Sequence, residues 1–302
     1  MIIRKNIFNN FKWLKKTKQS FIISADYDGL ICAAFLSHHL DWNLAGYYNM
    51  EKIWISEEGL QKKNDLIWVD LDIVPKSGKT LGGHIVILDQ QMPSGLKSSC
   101  NPNIIQNISG DNFKSKYPLS TLSFLLWLFQ VSIPKTQMAQ FLVLHSDSTW
   151  LKYQQYTKNF RDWLSLLDDY EWTQLFKNIN TVEFEKKVDQ EFYPLMIQIG
   201  AISGFSKLKS KHLHIKSRDY QFNPDWDEDI ILDLFDVFAQ NLLWSPPKMP
   251  QIIRKINGKR QSIPVADVVK IGLNQFIKKN KVFSYSITSP KKMKYTVFNQ
   301  IK

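Results

Sequence analysis

Short apolar segments alternate with helical segments through the first half of the chain, and this alternation restricts the fold more than any other feature. Several of the strand-like segments are apolar throughout, as in parallel strands covered on both faces. We therefore predict an α/β fold with a mostly parallel sheet flanked by helices. The predicted strands are 20–25, 44–48, 66–70, 84–88, 103–107 and 140–144, and the predicted helices are 29–40 and 119–130.

The second half has a different pattern. Residues 151–192 carry aromatic and leucine residues at helical spacing and predict a helical connector. Residues 193–302 predict a smaller basic α+β domain with helices near 228–243 and 264–279. The segments "VFSYSITS" and "KYTVFNQI" flank the turn "SPKK" and predict a terminal hairpin. We therefore expect three parts, with 1–150 as the first.

The positive charge is concentrated near the C-terminus. Residues 1–250 hold 27 Lys and Arg against 27 Asp and Glu, whereas 251–302 hold 12 against Asp267 alone, which accounts for the net charge of +11. A segment this basic is typical of a contact with phosphate backbones or another polyanion. A solvated cationic tail is the alternative.

The sequence also indicates a compartment. No apolar run approaches the roughly 18 residues that a membrane span needs, and the basic N-terminus lacks the apolar core of a secretory signal. Cys32 and Cys100 are too few for a disulfide framework or a cysteine metal site. We therefore expect a soluble, cytoplasmic protein with no membrane partner.

Aspartates stand at the ends of four predicted strands. They are Asp26, Asp28, Asp70, Asp72, Asp89 and Asp147. Ligands of open parallel sheets gather at the carboxyl ends of strands, near a topological switch point, so we expect these carboxylates to converge. In the alternative, each aspartate caps a helix or begins a turn.

Converging carboxylates repel one another unless a cation lies between them. Oxygen-rich clusters suit Mg²⁺ or Mn²⁺, and two such ions can clamp a phosphate and support its hydrolysis. The sequence therefore predicts one or two divalent ions, Mn or Mg. The predicted ligands are Asp26, Asp28, Asp70 and Asp147.

The order of the acidic motifs resembles that of the DHH phosphoesterase superfamily. The motifs "ADYDG", "LIWVDLD", "HIVILDQQ", "SGDNFKSKYPLSTLSFLL" and "LHSDSTW" follow one another within residues 18–150. The superfamily includes RecJ-like single-strand exonucleases, oligoribonucleases, cyclic dinucleotide phosphodiesterases and family II inorganic pyrophosphatases. The resemblance implies a metal-dependent phosphodiesterase or exonuclease that acts on single-stranded nucleic acid or short oligonucleotides.

The resemblance also implies individual roles. Asp70 would be the carboxylate that bridges two metal ions, and Asp89 would begin the motif that names the family. The implied catalytic residues are Asp26, Asp28, Asp70, Asp89 and Asp147. Ser120 and Thr121 would contact the substrate phosphate at a helix N-terminus.

The third motif departs from the family pattern. Gln90 and Gln91 stand where the family has two histidines, and Ser24 stands where many members carry another. An amide oxygen ligates Mg²⁺ weakly, but it supplies neither the imidazole nitrogen that favours Mn²⁺ nor a protonatable group on the substrate phosphate. Gln90 is a candidate metal ligand, and Gln91 a candidate phosphate contact.

Other histidines of the chain could supply the imidazole that the third motif lacks. His145 precedes Asp147 by two residues, so on a continuing strand both side chains would face the same way. His145 is thus a further candidate ligand, with a packed strand-end residue as the alternative. We expect His84 to begin its strand, at the end away from the cluster. His212 and His214 alternate on a predicted strand, as either a site or an exposed basic surface.

The basic C-terminal part contains no Gly-rich loop of the kind with which many DHH enzymes grip substrate. Its cations are interleaved with Phe283, Tyr285, Tyr295 and Phe298, and cations with stacking aromatics are typical of single-strand binding. In the alternative, these rings form the core of the hairpin. The candidate nucleic-acid-binding residues are Arg254, Lys255, Lys259, Arg260, Lys278, Lys279, Lys281, Lys291, Lys292 and Lys294.

Two hypotheses follow from the sequence. The first is a two-metal phosphodiesterase or exonuclease. The second is a DHH-like module that has lost hydrolysis and binds nucleic acid or assembles a complex, as the "DQQ" motif and the missing Gly-rich loop suggest.

Overall fold

The computed structural model describes residues 2–75, 78–88, 92–167, 170–176, 180–201 and 221–298. It is an α/β structure with a nine-stranded mixed sheet. The strands are β1 (Ser20–Ser24), β2 (Asn43–Tyr48), β3 (Lys52–Ser56), β4 (Ile67–Val69), β5 (Lys79–Leu81), β6 (Ser99–Cys100), β7 (Ile252–Pro264), β8 (Val282–Ser289) and β9 (Lys292–Phe298). The helices are α1 (Arg4–Asn10), α2 (Tyr27–Leu40), α3 (Glu57–Gln61), α4 (Pro102–Ile105), α5 (Thr121–Phe129), α6 (Gln137–His145), α7 (Thr149–Gln155), α8 (Thr157–Leu166), α9 (Trp172–Phe176), α10 (Thr181–Lys187), α11 (Tyr193–Gln198), α12 (Glu228–Leu242), α13 (Val265–Ile271) and α14 (Leu273–Asn280).

The chain forms two compact units, each made of separate segments. The helical unit comprises Met1–Arg4, Ala25–His39 and Pro118–Pro247. The sheet unit comprises Lys5–Ser24, Leu40–Tyr117 and Lys248–Lys302, and it contains all nine strands. The predicted division at residues 150 and 192 stays a prediction.

The order of strands in the sheet unit is β6-β5-β4-β1-β2-β3-β7-β9-β8. The first five strands in this order are mutually parallel, and the remaining pairings are antiparallel. Because β2 lies on one side of β1 and β4 on the other, the strand order reverses between β1 and β4. This is the topological switch point, where open α/β sheets place their ligands.

Burial explains why the parallel strands form. All five residues of β1 are buried, as are the three residues of β4, which fits the apolar pattern from which parallel strands were predicted. The core of the sheet unit includes Ile22 and Trp68 from these strands, and the C-terminal hairpin contributes Phe283 and Phe298. The hairpin is therefore part of the same core as β1.

The helices of the helical unit begin at side-chain caps. Ser120 caps α5 by accepting a hydrogen bond from Ser123 N at 3.0 Å, and Thr136 caps α6 through Ala139 N at 3.2 Å. At the start of α2, the ring of Tyr27 packs edge-on against Phe238 of α12, with 5.5 Å between centroids. These contacts fix the starts of α2, α5 and α6, and α2 carries Asp28 in its first turn.

Three predicted strands are wrong. Residues 103–107 lie largely in α4, which begins after the cap Asn101 with a proline in its first turn. Residues 140–144 lie in α6, because a five-residue apolar run also fits one buried face of a helix. Residues 84–88 form no regular strand, since their only β-pairing with described residues is an isolated bridge from Ile87 to Ser109. The strand that precedes them in the chain is β5.

The structure confirms the α/β class and the terminal hairpin. It also confirms, each within a few residues, the predicted elements β1, β2, β4, α2, α5 and α12. Strands β3, β5, β6 and β7 were not predicted. The helix predicted at 264–279 is split into α13 and α14 by Gly272, whose φ is +86°. In the described part of the chain, no helix has the length and apolar character to cross a bilayer.

Candidate metal centre

Asp70 lies directly after β4, beside the end of β1. Its carboxylate is buried; Oδ2 accepts a hydrogen bond from Ser24 Oγ at 2.6 Å, and Oδ1 lies 2.8 Å from Nε2 of His84. The backbone adopts the left-handed conformation, with φ of 56°, and its N–H donates to the Leu81 carbonyl at 2.7 Å. Non-glycine residues held in this region often mark functional sites.

His84 brings an imidazole next to the Asp70 carboxylate. It was expected at the end of a strand away from the acidic cluster, and this expectation is wrong because 84–88 is not a regular strand. The His84 side chain is 39% exposed, whereas that of Asp70 is 2% exposed. A buried carboxylate therefore orients an imidazole that stays accessible to solvent.

A network of buried side chains fixes the segment around His84. Asn101 Nδ2 donates to the Ile85 carbonyl at 3.3 Å, and Asn103 Nδ2 donates to the carbonyls of Gly83 and Ile85 at 2.7 and 3.1 Å. Because both carbonyls flank His84, the network determines where its ring lies.

Asp72 belongs to this network. Its Oδ1 accepts from Thr80 Oγ1 and Ser99 Oγ at 3.2 and 2.7 Å, and its Oδ2 accepts from Asn101 Nδ2 and Ile85 N at 2.9 and 3.2 Å. Four donors satisfy the carboxylate. Asp72 therefore positions the neighbouring loop and is not itself available as a ligand.

In the helical unit, Asp28 lies buried in the first turn of α2. It accepts hydrogen bonds from Thr121 N at 3.3 Å, at the start of α5, and from Ser146 Oγ. Negative charge is favourable at a helix N-terminus. Burial and then the Asp28 charge raise the pKa of Tyr27 well above its ordinary value. Asp28 is thus held in place by its own unit.

The other acidic candidates of this unit have local partners. Asp26 Oδ1 accepts from Gly29 N at 3.0 Å, as an N-cap of α2 does. Asp147 has φ of 47° and forms an ion pair with Lys152. His145 ends α6 and packs among aromatic rings, 5.3 Å from Tyr27 between centroids. The expectation that His145 and Asp147 share a strand face is wrong, because no strand exists there.

The two residues predicted to contact phosphate lie at the start of α5, as expected. Ser120 caps the helix, its N–H donates to Thr149 Oγ1 at 3.2 Å, and the Thr121 N–H donates to Asp28. Their role toward a substrate phosphate stays a prediction. Asp89, Gln90 and Gln91 lie outside the described residues, as do His212 and His214.

The ten predicted nucleic-acid-binding cations belong to the sheet unit. Four lie on β7, two on α14, one directly after α14, one in the hairpin turn and two on β9. Phe283, Tyr285, Tyr295 and Phe298 are all buried. The interpretation that these rings are core residues is therefore confirmed, and as buried rings they present no exposed surface on which a base could stack.

The sequence does contain a signal that could have identified His84. It follows Gly82 and Gly83, and paired glycines interrupt a strand. Asn101 and Asn103 are buried amides seventeen and nineteen positions later, but their contacts with this loop follow only from the fold.

Comparisons of the chain with protein-family models, with curated proteins and with solved structures gave no match.

Proposed function

We propose that this protein is a metal-dependent phosphodiesterase that hydrolyses single-stranded nucleic acid or short oligonucleotides. The observation that carries the proposal is the pair formed by Asp70 and His84 at the switch point of the sheet. The resemblance of the acidic motifs to the DHH phosphoesterases agrees with it, and membership of that superfamily is part of the proposal.

The side chains fit a divalent ion. We assign the metal to Asp70 and His84 of the sheet unit, a carboxylate and an imidazole that could hold such an ion. Asp28, which follows β1 by four residues, stays a candidate ligand from the sequence. A bound ion would supply Lewis acidity and neutralise charge on a phosphate.

His84 would supply the imidazole that the third motif lacks. An imidazole nitrogen favours Mn²⁺ over Mg²⁺, and Gln90 and Gln91 supply none. In this proposal, His84 provides the nitrogen ligand beside the carboxylate of Asp70, whose Oδ1 lies 2.8 Å from its Nε2. Asp26 and Asp147 are secondary candidates because a cap and an ion pair already engage them.

Metal titration and cleavage assays test the proposal. We expect calorimetry to show Mn²⁺ binding, and labelled single-stranded DNA and RNA to be cleaved in Mn²⁺. Asp70→Asn and His84→Gln should each lower both metal affinity and cleavage by about 100-fold or more. Asp65→Asn, on an exposed carboxylate of the same unit, is the matched control. Cleavage of neither nucleic acid in Mn²⁺ or Mg²⁺ would overturn the proposal.

A second candidate function is a binding or assembly module without hydrolysis. The specific observation in its favour is the ion pair of Asp147 with Lys152, which neutralises a predicted catalytic carboxylate. It predicts nucleic-acid or protein binding that survives Asp28→Ala and Asp70→Ala. A sharp loss of activity in these variants would contradict it.

A further inference from the structure

The antiparallel end of the sheet has two faces of opposite character. Strand pairing aligns residues of β7, β9 and β8 in rows, and alternate rows point to opposite faces. One face carries the rows Ile263–Met293–Ile287 and Gln261–Tyr295–Tyr285. On this face, the ring of Phe276 from α14 packs edge-on against Tyr295, with 5.1 Å between centroids. This face is the apolar interior of the hairpin.

The opposite face carries cations and hydroxyl groups. Its rows are Arg260–Thr296–Ser284, Ser262–Lys294–Ser286 and Pro264–Lys292–Ser289. No Asp or Glu occurs in these rows. We call the residues Arg260, Ser262, Ser286, Lys292 and Lys294 the basic face.

Exposure divides the basic face from the buried row beside it. Thr296 and Ser284 are buried; Thr296 donates to the Met50 carbonyl, and Ser284 shares a hydrogen bond of 2.7 Å with Tyr48. The residues of the basic face are exposed or partly exposed, although Arg260 Nε is buried and, among the described residues, has no hydrogen-bond partner. The three rows thus present donors and positive charge, and none of their own residues is acidic.

The basic face adjoins the chain that leaves the candidate metal centre. Val74 N donates to the Phe283 carbonyl at 2.7 Å, and Ile73 forms a bridge with Ser284. Ile73 follows Asp70 by three residues, and Ser284 precedes Ser286 by two. A ligand on the basic face would therefore lie on the strand that pairs with the segment after Asp70.

We propose that the basic face binds the phosphodiester backbone of the single-stranded nucleic acid on which the protein acts, through phosphate contacts that do not distinguish bases. This inference rests on the proposed function. Lysine, arginine and hydroxyl donors suit phosphate oxygens, and the rings of Phe283 and Phe298 are buried, so these rings do not stack bases. The face therefore selects an anionic backbone and not a sequence.

Fluorescence anisotropy with labelled oligothymidylate and oligoadenylate of about 20 nucleotides tests this assignment. The full-length protein is used in EDTA, so that neither metal binding nor cleavage affects the readout. The test variant is Lys292→Gln with Lys294→Gln. The matched control is Lys63→Gln with Lys97→Gln, which removes the same charge from exposed residues of the sheet unit that lie outside β7, β8 and β9.

We expect the test variant to bind both oligonucleotides about 10-fold more weakly near 50 mM salt, with a slope of log K against log salt that is smaller by about 1.4, as for the loss of two single-strand phosphate contacts. The control should bind like the wild type. Equal weakening in both variants, no weakening in either, or equally tight binding of labelled polyglutamate would overturn the inference. If the wild type cleaves oligonucleotides while the test variant binds them normally, the proposed function stands and this inference fails.

Discussion

Ser24 and Asp70 join the carboxyl ends of two neighbouring parallel strands. The Ser24 hydroxyl donates to Asp70 Oδ2 at 2.6 Å, and both residues are buried. Because Oδ2 accepts the hydrogen bond from Ser24 of β1, Oδ1 is the oxygen that lies next to Nε2 of His84. The sheet itself thus sets the orientation of the carboxylate on which the proposed metal centre depends.

Removing this hydroxyl should weaken metal binding without unfolding the protein. In Ser24→Ala, Asp70 loses the hydrogen bond that fixes its rotation, and losses of this kind typically lower metal affinity by about 10- to 100-fold. Calorimetric titration with Mn²⁺ measures the effect. Far-ultraviolet circular dichroism should match the wild type. Unchanged Mn²⁺ affinity would show that Ser24 does not position the ligand.

Asp72→Asn should destabilise the sheet unit by about 2–4 kcal/mol, because the amide nitrogen would face two donors that now bond a carboxylate oxygen. The same change should loosen the loop of His84 and reduce Mn²⁺ affinity. Urea unfolding monitored by circular dichroism gives the first quantity, and calorimetry gives the second. Asp65→Asn, on a side chain that is 80% exposed, should change neither. If Asp72→Asn behaves like this control, the network does not hold the loop.

Three of the five parallel strands, β1, β2 and β4, were predictable because their signal is local, whereas β5 and β6 have only three and two residues and gave none. β1 has the apolar centre 21–23, β4 is apolar throughout, and an aspartate follows each strand within two residues, so the placement of Asp70 at the end of a strand followed from the sequence alone. The pairing of Asp70 with His84 was not predictable, because it depends on Asp72 and Asn101 holding a loop through contacts across up to 29 positions of sequence. β7 was not predicted because its many basic residues obscure the alternation of apolar and polar side chains that is typical of a strand. It pairs with β3 and β9, which are distant in sequence or were not predicted to adjoin it.

Gly46→Ala should disrupt the pairing of β2 with β3. A Cβ atom at Gly46 would lie 2.1 Å from the Trp54 carbonyl oxygen and 3.1 Å from Ile55 Cα, and both are backbone atoms that cannot rotate away. We expect a loss of about 2 kcal/mol or more in the free energy of unfolding. Gly110→Ala is the matched control, since its nearest neighbour would be Leu88 at 3.6 Å. Equal thermal unfolding midpoints for the two variants would contradict the prediction.

His39 should make the stability of the helical unit depend on pH. Burial, followed by the charge of His38, lowers the pKa of His39 from 6.5 to about 4. The ring packs on Phe35 and Trp244, with centroid distances of 4.7 and 5.6 Å. Between these two pKa values the unfolded chain binds a proton that the folded chain does not. The contribution is therefore fully present above about pH 6.5 and decreases as the pH falls toward about 4.

The variant His39→Phe isolates this contribution, because phenylalanine keeps an aromatic ring and cannot be protonated. Urea unfolding of the wild type and the variant, compared between about pH 7 and about pH 4.5, cancels the titration of the carboxylates that both proteins share. The wild type should lose stability relative to the variant as the pH falls. A difference that stays constant across this range would show that His39 has the same pKa in the folded and unfolded states.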